Sequence, residues 1–131
     1  MKLESLSFFS TASQRMQYLG ARLEVVSENI ANADTPGFKA REVSSFAEMV
    51  DGGTRSGLHT TDTRHIDSSR SSGDLRATED DTAWETSIDG NSVVLEQQAI
   101  KAGEIGESYQ LAAQLYRKGH DLLALSITGL R

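Results

Sequence analysis

At both ends of this chain apolar residues recur at alternating spacings of three and four, a pattern that is satisfied only by laying helices side by side. In the N-terminal segment the series is Phe9, Ala12, Met16, Leu19, Leu23, Val26 and Ile30. In the C-terminal third it is Leu95, Ala99, Ala102, Gly106, Tyr109, Ala113, Tyr116, His120, Leu123, Ile127 and Leu130. The spacing predicts one helix from about Leu6 to Ala33, roughly 40 Å long, and another from about Val93 to Ile127, roughly 50 Å long. The second carries a further apolar row, Ile105, Ala112, Leu115, Leu122 and Leu125, so its apolar surface is wider than one partner helix covers. Each leucine left wet forgoes about 1.5–3 kcal/mol of burial free energy, which points to packing between subunits as well as within the chain. Gly103, Gly106 and Gly119 each cost about 1 kcal/mol against alanine inside a helix. With Ala99, Ala102, Ala112 and Ala113 they are expected to let backbones approach closely, the alternative for any one of them being a tolerated glycine or a kink.

The first helix has an abrupt stop. Asn29 and Asn32 carry amides that can bond free backbone groups near a helix end, and Asp34, Thr35 and Pro36 follow. Proline lacks an amide donor and drives Thr35 toward an extended conformation, so the helix is expected to finish near Ala33. Pro36 and Gly37 suit the central positions of a type II turn, where glycine tolerates the positive φ of the second. The start of the last helix is marked by Asp89-Gly90-Asn91-Ser92, with Ser92 placed to cap its first amides.

Between the helices, thirteen of the twenty-six residues from 51 to 76 are Gly, Ser or Thr, which reads as a polar loop. Trp84, Thr86 and Ile88 alternate with polar neighbours and suggest one short strand, with a partner around Phe38 to Val43 and Trp84 as a local anchor. The expected fold is mainly α: two long terminal helices packed as an antiparallel coiled-coil pair, with an irregular middle that has room for a short β-hairpin. The expected divisions are 1–33, an irregular outer segment 34–92 containing the loop 51–76, and 93–131.

At 131 residues the chain is the size of one domain, and 37% hydrophobic with 6% aromatic content is lean for a domain that must stand alone, so help from partners is expected. The net charge of −6 lies entirely in residues 34–92, both ends being neutral. That negative middle disfavours nucleic-acid phosphates, which need clustered Lys and Arg. There is no cysteine, so neither a disulfide nor a thiolate metal site can form. Met1-Lys2-Leu3-Glu4-Ser5-Leu6 does not read as a cleaved secretory signal, and no run approaches the roughly 20 apolar residues of a membrane-spanning helix. His59 and His65 stand six apart beside Asp62 and Asp67, a spacing that fits no zinc pattern. No nucleophile elbow or phosphate-binding glycine loop is present, and the carboxylates lie in segments too polar to raise their pKa by desolvation. No catalytic residue, cofactor, metal or small-molecule ligand is therefore expected, and His120, on the helical seam, is expected to be packed or partly exposed. The competing classes are a coiled-coil chaperone or regulatory binding module, which would have no need of the Asn-Thr-Pro-Gly turn, and a small lytic enzyme, which would need a sheltered carboxylate.

The run Glu28-Asn29-Ile30-Ala31-Asn32-Ala33-Asp34-Thr35-Pro36-Gly37-Phe38-Lys39-Ala40-Arg41 resembles, almost position for position, the N-terminal signature of the flagellar basal-body rod proteins, with Phe38 where tyrosine is common. The signature is shared by rod, hook and hook-associated proteins. The wording Asp34-Thr35-Pro36-Gly37, the stretches Thr63-Arg64-His65-Ile66 and Asp89-Gly90-Asn91-Ser92-Val93, and the short length favour the proximal rod over the sibling FlgC. The likeness covers both helices and their flanking turns and leaves the 51–76 loop out. It implies an axial structural subunit, made in the cytoplasm, exported by the flagellar type III apparatus without a cleaved signal, and assembled in the periplasm. It also implies partners: other copies, the rod proteins FlgC and FlgF, and the adaptor FliE at the base. Within the motif, Asn29 and Asn32 are expected to hold the turn through their amides, the alternative being that one of them merely caps the helix, while Pro36 and Gly37 are expected to set its geometry and Phe38 to dock the following segment. The two seams are the expected subunit-packing residues.

Overall fold

The structure, a computed structural model, describes residues 7–54 and 75–129. Its frame is two long helices, α1 (Ser7–Ala31) and α3 (Leu95–Thr128). Between them in sequence come strand β1 (Arg41–Val43), helix α2 (Phe46–Thr54) and strand β2 (Ala77–Glu79). The long helices run antiparallel, as the two seams predict. Asn29 at the end of α1 bonds Gln98 at the start of α3, while Phe9 at the start of α1 meets Tyr116 edge-on with ring centroids 5.2 Å apart. Tyr18, Leu19, Val25 and Val26 of α1 share one core with Val43 of β1 and Ile105 of α3, and Phe46, Met49, Leu75, Ala77 and Ala102 pack against it.

The rows of side chains differ from the expected seams. On α1, Phe9, Leu19 and Val26 are buried, but Leu23 and Ile30 remain 43% and 44% exposed. A second row of α1, Tyr18, Val25 and Asn29, is buried instead, because β1 and α2 pack on that flank. On α3 the buried positions are Gln97, Gln98, Ile105 and Ala112, whereas Leu95, Ala99, Gly106, Tyr109, His120 and Ile127 of the expected seam are exposed. Within the chain, the inward row is set by the bulk of Ile105 and by the Asn29–Gln98 hydrogen bond. Ala102, Ala113, Tyr116 and Leu123 are half-buried, and Leu130 lies outside the described residues. Close approach holds at one of the three glycines. A Cβ on Gly119 would stand 2.6 Å from the Phe8 ring, but Gly103 and Gly106 face open space.

The sheet also corrects the expected pairing. β1 pairs antiparallel with Ala77–Glu79, Arg41 opposite Glu79 and Val43 opposite Ala77. The Trp84–Ile88 stretch is no strand: Ser87 N donates to Asn91 O and Gly90 N to Ser87 O, which folds it into a turn. Trp84 is 61% exposed, so its ring is no buried anchor among the described residues. Helix α2 claims residues 51–54 of the expected loop, and at the loop's other end Leu75 packs on the core. Residues 55–74 lie outside the described part. Ser45 starts α2, its hydroxyl accepting from Glu48 N at 3.3 Å and its carbonyl from Met49 N at 3.1 Å.

Candidate functional site

The turn after α1 is built by short-range bonds and then pinned from a distance. Asn32 Nδ2 donates to Glu28 O at 2.8 Å, the Thr35 hydroxyl donates to Asn32 Oδ1 at 3.2 Å, and Phe38 N donates to Thr35 O at 3.2 Å. That last bond encloses Pro36 and Gly37, and Gly37 has φ +74°, the left-handed value that the third residue of a type II turn adopts. Asp34, Pro36 and Gly37 are exposed and Phe38 is half-buried. The pin is Asn91. Its Nδ2 lies 2.9, 2.9 and 2.8 Å from the carbonyl oxygens of Asn32, Ala33 and Thr35, so two hydrogens are shared among three acceptors in the turn, of which Ala33 O has no backbone donor. Its Oδ1 accepts from Val93 N at 2.7 Å, which ties the same residue to the entrance of α3.

Asn29 works elsewhere than in the turn. Arg41 N donates to its Oδ1 at 2.9 Å and its Nδ2 donates to Arg41 O at 2.8 Å, so the side-chain amide pairs with β1 as a neighbouring strand would. The same Nδ2 reaches Gln98 Oε1 at 3.0 Å. Gln98 Nε2 is buried without a hydrogen-bond partner among the described residues. Such an orphan donor costs about 1–3 kcal/mol. Ser92 likewise serves the middle segment rather than capping α3: its hydroxyl accepts from Ala40 N at 2.8 Å, and its N donates to Phe38 O at 3.0 Å. Val94 occupies the N-cap of α3 with no side-chain cap.

Four charges clamp the hairpin to both helices. Arg22 of α1 donates twice to Glu42 of β1, at 2.9 and 3.1 Å. Lys101 of α3 sits 3.0 Å from Glu42 and 2.6 Å from Asp80, just beyond β2. The Asp80 side chain is 3% exposed and that of Lys101 12%. Burial pushes the Glu42 carboxyl up, but hydrogen bonds from Arg22 and Lys101 outweigh it and hold the group below the usual carboxylate range. Asp80 is held down in the same way, burial being overcome by bonds from Lys101 and Thr82. Burial would lower the Lys101 ammonium, yet Asp80 and Glu42 raise it, and the bond to Glu42 raises Arg22. The quartet is electrically neutral and mutually paired, the condition under which buried charge is tolerated.

The quartet was not anticipated. Its partners lie far apart in sequence, Arg22 and Glu42 by 20 residues and Asp80 and Lys101 by 21, so no local pattern links them. Among the described residues no group of three His, Cys, Asp or Glu is placed to hold a metal ion. His59, Asp62, His65 and Asp67 lie outside them. What α3 does offer is an exposed row, Leu111, Leu115, Leu122 and Leu125, each between 48% and 58% accessible.

A family model described as flagella basal body rod protein matches residues 9–39, from α1 through the Pro36-Gly37 turn. The chain is 31% identical over 128 residues to the flagellar basal body rod protein FlgB of Agrobacterium fabrum, covering 95% of this chain and 96% of that one. It is 35% identical to the FlgB of Proteus mirabilis over 83% of each chain. Against the FlgB of Cereibacter sphaeroides it is 30% identical, over 82% of this chain and 84% of the relative.

Proposed function

This chain belongs to the flagellar basal body rod protein family, with one FlgB relative matching nearly its whole length, and from that premise we propose that it is a proximal-rod subunit assembled through its terminal helices. Residues 1–33 and 93–131 then supply the axial packing and 34–92 the outer segment. The subunit is made in the cytoplasm, leaves through the flagellar type III export apparatus without a cleaved signal, and takes its place in the periplasm as part of the shaft that transmits motor torque. Its neighbours are other copies, FlgC, FlgF and, at the base, FliE. It performs no catalysis.

The observation that carries this reading is the row Leu111, Leu115, Leu122 and Leu125, which the α1–α3 pair leaves uncovered. Adding a neighbouring helix would bury the rest of it, at about 1 kcal/mol per leucine because each is already half covered. Leu23, Ile30 and Tyr109, all exposed, form a second uncovered strip on the other flank of the pair. The lone chain is then marginally stable, since most helical stability comes from packing a face, and it gains order on assembly. Circular dichroism of the purified chain tests this. Partial helicity that rises with concentration is expected; full helicity with a sharp, concentration-independent melt overturns it.

A further inference from the structure

The loop from Asp81 to Asp89 is fixed at its base and apolar at its tip. Gln97 Nε2 donates to Thr82 O at 2.9 Å, and Trp84 N donates to Gln97 Oε1 at 3.3 Å. Thr82 donates to Asp80 Oδ1 through both its N, at 2.9 Å, and its hydroxyl, at 2.6 Å. On this base Trp84 stands out of the molecule and Ile88 is fully exposed. A large aromatic held at low conformational cost is the usual anchor of a protein contact. The surrounding charge has one sign: Asp81, Glu85 and Asp89 are all exposed, and no Lys or Arg occurs between Arg76 and Lys101. That sign repels anionic lipid headgroups and nucleic-acid phosphates alike.

The same chain carries a surface of the opposite character. α1, α2 and α3 frame an apolar groove of about 510 Å³ lined by Phe8, Ala12, Arg15, Phe46, Ala112 and Leu115. Its charged wall is Arg15, whose guanidinium lies 5.0 Å from the centre of the Phe46 ring and 5.4 Å from that of Tyr18. Arg15 forms no ion pair with a described carboxylate. Lys118, exposed on α3 between Leu115 and Leu122, adds a second cation nearby.

We propose that the Trp84 loop of one copy seats in the Phe8–Arg15–Leu115 groove of a second copy of this chain. The inference rests on the rod reading, of which it names one contact between copies. A chain cannot fill its own groove, because Leu115 lies about 27 Å beyond Gln97, the loop's tether, along α3. Within the contact the indole lies against Arg15, where its face attracts the guanidinium. Asp81 and Glu85 meet Arg15 and Lys118, so the two surfaces are complementary in charge as well as in polarity.

The test places a photoreactive benzoylphenylalanine at position 84 of the full chain in living cells. The expected product has twice the chain's mass, and its peptide map joins position 84 to the peptide containing Arg15 or Leu115. Arg15→Glu and, separately, Glu85→Lys should each lower its yield about tenfold, the size of a lost hot-spot contact. The exposed position of Glu85 makes that variant safe for folding, which a thermal melt verifies. Absence of the product, adducts confined to lipid or to other proteins, or a yield unchanged in Glu85→Lys would overturn the contact. Co-fractionation of the tagged chain with basal bodies reads the rod assignment separately, so each idea can fail alone.

Discussion

Asn91 sets one amide against three carbonyl oxygens, and its replacement by alanine removes the donor of Ala33 O and leaves Asn32 O and Thr35 O only their bonds from Thr35 N and Phe38 N, in a site where the residue is 4% exposed. Asn91→Ala is expected to lower stability by about 2 kcal/mol, read as a shift of the urea midpoint at constant slope. Asn91→Asp should be worse, because a carboxylate would face the same three oxygens. The residue was visible in sequence only as part of a turn cluster. The distance from Asn32 to Asn91 hid its role, since no local pattern links a helix end to a loop so far along the chain. Asn29 shows the same limit. Its place at a helix end suggested a local cap, but β1 and Gln98 compete for its amide and take it.

At the scale of elements, α1, its stop and α3 follow from periodicity and from proline and glycine chemistry, which act between near neighbours. Gly37 is the sharpest case. Its φ of +74° is strained for any residue with a Cβ, and a β-branched one most of all. Gly37→Val should cost about 1–3 kcal/mol, with Gly37→Asn milder; chemical denaturation gives the difference, and a soft-agar swimming assay is expected to show reduced motility for valine. The short helix α2 was overlooked although Ser45-Phe46-Ala47-Glu48 has the serine and glutamate spacing of a capping box. The strand pairing of Arg41 with Glu79 was not legible, because a three-residue strand carries too little alternation to stand out. Lys101 joins these elements, and Lys101→Met would leave Asp80 buried beside no cation. A loss of about 3 kcal/mol is expected, together with a rise in the Asp80 pKa measured by carboxyl NMR titration.

For the molecule as a whole the quartet fixes how stability depends on pH. Glu42 and Asp80 titrate lower when folded than when unfolded, so their contribution is complete above the ordinary carboxylate range of about pH 4 and disappears as pH falls through the depressed folded values. Lys101 is raised, so its contribution is complete below about pH 10 and is lost only as pH climbs past the folded value. Urea midpoints should therefore be level across the neutral range and fall on acidification. In Lys101→Met the acid-side fall should shrink, since Asp80 no longer favours ionisation on folding. Gly119 and Asn91 mark the two ends of the long pair, and they differ in kind. Near Gly119 the helices touch through aromatic rings alone, Phe8 laid on a bare backbone and Phe9 edge-on to Tyr116, whereas at the other end a single amide is knotted into three oxygens and the next helix. Fraying should thus travel in one direction only, peeling from the Phe8 side while the knotted side stays shut, and amide exchange rates graded along α1 would trace its path.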